Sequence, residues 1–329
     1  KETLPPGTDA VTYIAPSYVG QPPASGQGQP QGALSGKTVY VSAGHGWQWN
    51  SNLADWRVQR IPYPRPPYVG PIIEDFNNAE VVNQYLLQYL WNAGARVIPV
   101  RERDMNPVER IVNNDDTTGY AEEGAWESST FAGYDPNVPN QTYRYTTTVT
   151  GRATATATWT TTMPDDGRYA VYVWYRHGSN RPGDARYTVH HAGGQTTVAV
   201  DQRHHGTTWH YIGTYGFQAG QPARVTLTNE STVASQAVIA DAVRIGGGTF
   251  DSLTGIDTAA YYPPDEPWWD VAAYYYTQRM GMDAAYGDVT ARPIYARWEH
   301  AGTGEDAVYV SWHTNGYSGY QETYTGTMS

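Results

Sequence analysis

With 329 residues and 40% apolar content, the chain has material for two domains of ordinary size and their cores. Only 16% of its residues are charged, the net charge is −11 and lysine occurs only at Lys1 and Lys37, so it carries no basic stripe of the kind that binds nucleic acid. The lack of cysteine excludes disulfides and thiolate metal sites, and no run of 18 or more apolar residues crosses a membrane.

Abundant Gly (34), Pro (22), Tyr (28) and Trp (12) suit a loop-rich, β-containing protein that is secreted or otherwise extracytoplasmic. The start at Lys1, without a Met, fits removal of a signal peptide. Residues 1–36, rich in Pro, Gly, Gln and Ser, offer few large apolar groups to offset ordering entropy. They read as a linker or extended arm, or as a packed arm through Val11, Tyr13, Ile14, Tyr18 and Val19.

The run Thr38-Val39-Tyr40-Val41-Ser42-Ala43 is a strand that ends in Gly44-His45-Gly46 and delivers one imidazole to a sheet edge. His45 is either a metal ligand or a turn histidine. A long aromatic loop, 46–73, follows, and a loop of that length is more often functional than idle. Phe76, Ala79, Val82, Leu86, Tyr89 and Leu90 recur at helical spacing and predict a helix over roughly 75–92, with Glu74 and Asp75 at its favoured acidic end and Gly94 as its stop. Arg96–Val100 is a second strand, so strand, helix and strand predict a βαβ unit and a parallel sheet.

From about 125 to 248 the texture is Thr-, Tyr- and Val-rich. Seven alternating runs (Ala153–Thr161, Arg168–Arg176, Ala185–His190, Thr196–Val200, Thr208–Tyr215, Ala223–Asn229 and Ala237–Ile245) are separated by turn signals and predict an antiparallel sandwich. Helical period resumes at 266–280 and again at Ala291–Trp298. Ala307–Trp312 is a strand ending in His313. The expected division is an arm at 1–36, an α/β domain at 37–124 continued at 249–329, and a sandwich at 125–248 inserted into a surface loop.

Two strand-end histidines, His45 and His313, meet at one sheet edge if their strands are parallel, and Glu74 at the helix start supplies a third donor of a type that zinc accepts. Val39–Gly46, Ile73–Ala79, Gly94–Asp104 and Val310–Asn315 together resemble the zinc-dependent N-acetylmuramoyl-L-alanine amidases of the amidase-3 type. The resemblance implies an α/β fold, with a mostly parallel sheet flanked by helices. It also implies Zn²⁺ held by His45, Glu74 and His313, and a water that attacks the amide between muramic acid and L-alanine in peptidoglycan. The inserted segment is similar to golvesin-type or carbohydrate-binding sandwiches, a likeness carried by Tyr169–Tyr175, Gly206–Trp209 and Ile239–Arg244.

The amidase pattern also calls for a late glutamate as general acid or base, and Glu322 is the only acidic residue after His313. No catalytic residue is therefore assigned. The expectation is an amidase completed by a separate fragment following Ser329 or by self-association, with a catalytically inactive cell-surface or assembly protein on the same scaffold as the alternative. His190, His191, His204, His205 and His210 are core or surface histidines, or a second metal site. Trp174, Tyr175, His177, Trp209 and Tyr211 are either sandwich core or a sugar-stacking platform.

Overall fold

The computed structural model describes residues 32–50, 52, 55–58, 74–101, 108–134, 141–247, 271–280, 282, 285–300 and 306–313. Most of the expected arm, much of the aromatic loop, Glu322 and the stretch around Trp268-Trp269 lie outside them.

The first part comprises β1 (Lys37–Ala43), a hairpin of β2 (Trp47–Asn50) and β3 (Asp55–Val58), α1 (Glu74–Val81), a π-helical turn (Val82–Leu86), α2 (Leu87–Asn92) and β4 (Arg96–Pro99). Twelve strands follow. They are β5 (Glu109–Val112), β6 (Tyr120–Glu123), β7 (Glu127–Ala132), β8 (Thr142–Thr147), β9 (Thr156–Thr162) and β10 (Gly167–Trp174). The series continues with β11 (Ala185–His191), β12 (Gly194–Val200), β13 (His210–Phe217), β14 (Pro222–Thr228), β15 (Ala237–Ala240) and β16 (Ala242–Gly246). The chain then returns through α3 (Ala273–Arg279) and α4 (Asp288–Glu299) to β17 (Asp306–Trp312).

Among the described residues four of the five sheets are antiparallel. A five-stranded sheet, ordered β12-β11-β14-β9-β6, packs against a four-stranded sheet, β13-β10-β16-β5, with a three-stranded sheet, β15-β8-β7, beside them. Among the described residues the one parallel sheet is β17-β1-β4, with Lys37 opposite Asp306 and Thr38 opposite Arg96. The expectation of an α/β fold built on a mostly parallel, helix-flanked sheet is thus overturned, and the chain is mainly antiparallel β. The physical reason is quantity. The β-branched and aromatic middle of the chain supplies most of the strands, whereas the strand–helix–strand signal at 38–100 builds only part of one three-stranded sheet.

Strand β10 (Gly-Arg-Tyr-Ala-Val-Tyr-Val-Trp) shows how the layers join. Alternate residues point to opposite faces of a strand. Tyr169, Val171 and Val173 enter the core between the two large sheets, together with Trp159, Tyr187, Val189, Val225 and Leu227. Ala170, Tyr172 and Trp174 face the other way, onto a second core shared with Tyr40, Ile98, Tyr276, Met280, Ala291 and Tyr295. Both faces are therefore buried, so the run read as alternating at Arg168–Arg176 is not a half-exposed strand. A third core sits under the first helical segment and comprises Val39, Val41, Ala43, Val82, Leu87 and Val97.

Candidate functional site

The parallel pairing of β1 with β17 brings the two strand-end histidines together. Their ring centroids are 4.7 Å apart and tilted by 56°. Gly44 makes the approach feasible, because a Cβ there would sit 2.3 Å from Nδ1 of His313. Two buried arginines pin the turn. Arg101 donates to the Gly44 carbonyl at 3.1 Å and to the Val271 carbonyl at 3.0 Å, and Arg292 lies 2.9 Å from His45 Nδ1 while pairing with Asp288 one helical turn away. His45 is buried. His313 is exposed, with its Nε2 2.7 Å from Ser311 Oγ.

Glu74 opens α1, but its side chain lies outside the described residues. A guanidinium can only donate, so it takes the lone pair of His45 Nδ1 and leaves the proton of the neutral ring on Nε2. In this arrangement His45 has no lone pair for a metal. Among the described residues no three His, Asp or Glu side chains converge as a metal cage. Arg292 thus occupies the lone pair through which His45 would hold a zinc ion. Arg292, which decides the point, lies 247 positions from His45, and no spacing rule in the sequence links them.

The aromatic residues of the sandwich resolve the other way. Trp174, Trp209 and Tyr211 are each 8% exposed and Tyr175 is fully buried, so these four are core; only His177 is open to solvent. The fully buried guanidinium of Arg244 lies 4.0 Å from the Tyr172 ring centre and 5.3 Å from that of Trp209, with Glu109 Oε2 3.5 Å from its Nη1. Among the other histidines, His191 stacks on Tyr215 at 5.1 Å and His205 lies against Trp298 at 4.3 Å. His210 is buried and His190 bonds with Arg224.

A polar cleft of about 500 Å³ opens on the sandwich where β6, β7 and β8 meet the turn after β5. Asn114, Asp115, Tyr120, Glu122, Ser128, Gln141 and Arg144 line it. Arg144 grips Glu122 in a two-point contact, Nε to Oε1 at 2.7 Å and Nη2 to Oε2 at 2.8 Å, and also donates to the Trp126 carbonyl at 3.1 Å. Tyr120 donates to Glu122 at 2.8 Å, and Gln141 to Asp115 at 2.9 Å. Asn114 donates to the Thr142 carbonyl at 2.8 Å, while its own Oδ1 is buried and accepts no hydrogen bond.

Partial burial would raise the pKa of Glu122, but the bonds from Arg144 and Tyr120 outweigh it and hold the carboxyl below its usual range. Burial and the neighbouring carboxylate push the Tyr120 hydroxyl far up, so it stays a neutral donor. Nearby, Asp241 is buried with Oδ1 3.2 Å from the Tyr134 amide, and burial raises its pKa well above the usual carboxylate range. The cleft is a preordered array of amides, hydroxyls and paired charges. Sequence reasoning missed it, since its walls come from strand edges that show no local motif.

Residues 110–247 match the family model described as Golvesin C-terminal domain. Over 140 residues, 41% of this chain and 14% of that protein, the chain is 36% identical to xanthan lyase of Bacillus sp. (strain GL1). It is 31% identical to golvesin of Dictyostelium discoideum over 93 residues, 28% of this chain and 16% of that protein. The chain thus spans well under a fifth of the length of either relative. Among solved structures, Paenibacillus xanthan lyase matches with a TM-score of 0.37 and 28% identity over 43% of this chain and 13% of that one. A family 35 carbohydrate binding module from Clostridium thermocellum matches with a TM-score of 0.30 and 18% identity over 42% of this chain and 97% of that one. The matches to the Golvesin C-terminal domain model and to the xanthan lyase sequence, together with the antiparallel architecture, overturn the expectation of a zinc-dependent peptidoglycan amidase or another hydrolase. The strand-end histidines that suggested it form a turn held by arginine. The sandwich at 110–247 is similar to Golvesin C-terminal domains and to a segment of xanthan lyase.

Proposed function

We propose that the sandwich binds a glycan. The observation that carries this reading is the likeness of residues 110–247 to a Golvesin C-terminal domain and to part of a protein named for acting on the polysaccharide xanthan. The cleft is of a suitable kind. A glycan presents rows of hydroxyls that both donate and accept; Ser128 and Gln141 can answer either role, and Asn114 can donate. Arg144 and Glu122 are paired with each other and Asp115 accepts from Gln141, so ligand hydroxyls replace water there without stranding an ion. A cell-wall or other extracellular glycan is the proposed class of ligand, and an extracytoplasmic location goes with it.

Affinity electrophoresis through gels containing xanthan or a soluble β-glucan, and sedimentation with insoluble peptidoglycan, test the reading. The chain is expected to be retarded or pelleted by at least one of them. The double substitution Asn114→Ala, Gln141→Ala is expected to abolish the effect while near-ultraviolet circular dichroism stays unchanged. Wild-type protein that ignores every polysaccharide overturns the reading.

Zinc at His45, Glu74 and His313 is a separate proposal, supported by the 4.7 Å approach of the two imidazoles. It requires Arg292 to release His45 and Glu74 to supply a third donor. Elemental analysis of protein purified without chelators tests it. A stoichiometric metal that disappears in His45→Ala supports it, and metal-free protein rejects it.

A further inference from the structure

The first helical segment carries a surface that the sandwich reading does not use. Its inner face packs Val82 and Leu87, with Leu86 and Leu90 beside them, onto β1 and β4. Its outer face exposes Val81 (37%), Tyr85 (51%) and Tyr89 (67%), spaced one turn apart through the π-helical stretch. From Val81 to Ala95 the sequence has no charged residue, and its polar side chains besides tyrosine are amides: Asn83, Gln84, Gln88 and Asn92. Gln88 donates to Asn92 at 2.7 Å and so fixes an amide beside the open tyrosine rings.

We infer that this stripe is a second glycan-contact surface, and that its ligand is a neutral polysaccharide. Two exposed phenol rings in a row offer flat apolar faces with a wet polar edge, which matches the apolar face and hydroxyl rim of a sugar ring. The Gln88–Asn92 pair keeps the Gln88 carbonyl oxygen as an acceptor and the Asn92 amide nitrogen as a donor for hydroxyls. Charge selects among the occupants. The chain carries −11, which disfavours a second copy of itself and an acidic polysaccharide alike, while the stripe has no cation to offset that repulsion. An uncharged, hydroxyl-bearing polymer meets no such barrier. The inference shares only its class of ligand with the sandwich reading and uses none of the same residues.

The test is affinity electrophoresis in hydroxyethyl cellulose and galactomannan, with alginate as the acidic comparison, on four proteins: wild type, Tyr85→Ala/Tyr89→Ala, Tyr85→Phe/Tyr89→Phe and the cleft variant Asn114→Ala/Gln141→Ala. All substituted tyrosines are exposed, so folding should persist. The expected result is roughly tenfold weaker binding to a neutral polymer for the alanine pair, with near-wild-type binding for the phenylalanine pair, which keeps the rings. Loss in the tyrosine variant alone supports the stripe. Loss in the cleft variant alone overturns the stripe and leaves the sandwich reading standing. Near-wild-type retention of Tyr85→Ala/Tyr89→Ala by neutral polymers overturns the stripe, as does no retention of wild type by them. A concentration-dependent dimer in sedimentation that vanishes in Tyr85→Ala/Tyr89→Ala also overturns the inference, because the occupant is then a second copy.

Discussion

His210 Nδ1 on β13 and Glu299 Oε2 at the end of α4 face each other at 4.0 Å, both almost fully buried, at the junction between the sandwich and the returning helices. Glu299 also accepts a bond from Tyr295 at 3.0 Å. A carboxylate so close favours a charged imidazole, yet burial dominates. It pushes His210 down to about 3, with Arg96 and His205 adding to the effect and Asp201 opposing it. His210 is therefore a neutral ring at this junction.

A pH dependence follows from that neutrality. The folded value lies below the unfolded one of about 6.5, so the unfolded chain takes up the proton first as pH falls. This contribution is fully present above pH 6.5 and is lost progressively down to pH 3. His205, pushed to about 4 chiefly by burial, acts in the same direction. Urea unfolding between pH 7 and pH 4 should show stability falling with pH, and His210→Gln should reduce the slope by up to about 1.4 kcal/mol per pH unit. Parallel curves for the two proteins would exclude His210 as the titrating group.

Arg244 and Glu109 predict an asymmetry between two substitutions. Arg244 is fully buried between two aromatic faces, and Glu109 is its ionic partner. Glu109→Ala leaves an uncompensated buried cation and should cost about 3 kcal/mol or more. Arg244→Met fills similar volume against Tyr172 and Trp209 and leaves a carboxylate that is 27% exposed and can hydrate, so it should cost about 1 kcal/mol. Chemical denaturation of both variants checks the order. A reversed order would mean that the arginine contributes chiefly through its aromatic contacts.

Thr207 predicts a gain. It follows Gly206 in the turn before β13 with a φ of +64°, a left-handed conformation that is costly for a β-branched residue. Gly206 is fixed by crowding, since a Cβ there would lie 2.6 Å from the Tyr175 carbonyl oxygen. Thr207 is exposed and meets no such limit. Thr207→Asn should stabilise by about 0.5–1 kcal/mol, read as a rise in melting temperature.

The legible parts of the fold were those specified by local pattern. The helix expected over roughly 75–92 spans Glu74–Asn92, and Gly94 after it has a φ of +95°. The β-branched run before His45 is β1, and the alternating runs of the middle segment are strands. What local pattern could not convey is which faces meet. Trp174 and Trp209 would look the same in a sugar platform as in a sheet buried on both faces, and only the packing of α3 and α4 against β10 decides between them. His45 would look the same as a ligand or as an acceptor for Arg292, a partner from the far end of the chain. The cleft was illegible because Asn114, Glu122 and Arg144 converge through strand pairing and carry no motif.

Gly44 gives the sharpest single test of the strand-end pair. Its amide donates to the Trp312 carbonyl at 2.9 Å and its carbonyl accepts from Arg101, so the backbone at this point is held on both sides. A methyl group added there would sit 2.4 Å from His313 Cε1 as well as 2.3 Å from Nδ1, well inside contact distance. Of the two clashing groups, the imidazole yields, because His313 is exposed at the end of β17 whereas Gly44 is buried. Gly44→Ala should therefore rotate His313 away from His45 and break its contact with Ser311, at a stability cost below about 1 kcal/mol. Imidazole resonances in the NMR spectrum should report this directly, with large shifts for His313, smaller ones for His45 and none for His190 or His191. If a metal is bound at the pair in solution, the same substitution should release it. Unchanged His313 resonances would show that the two rings do not pack over Gly44 in solution.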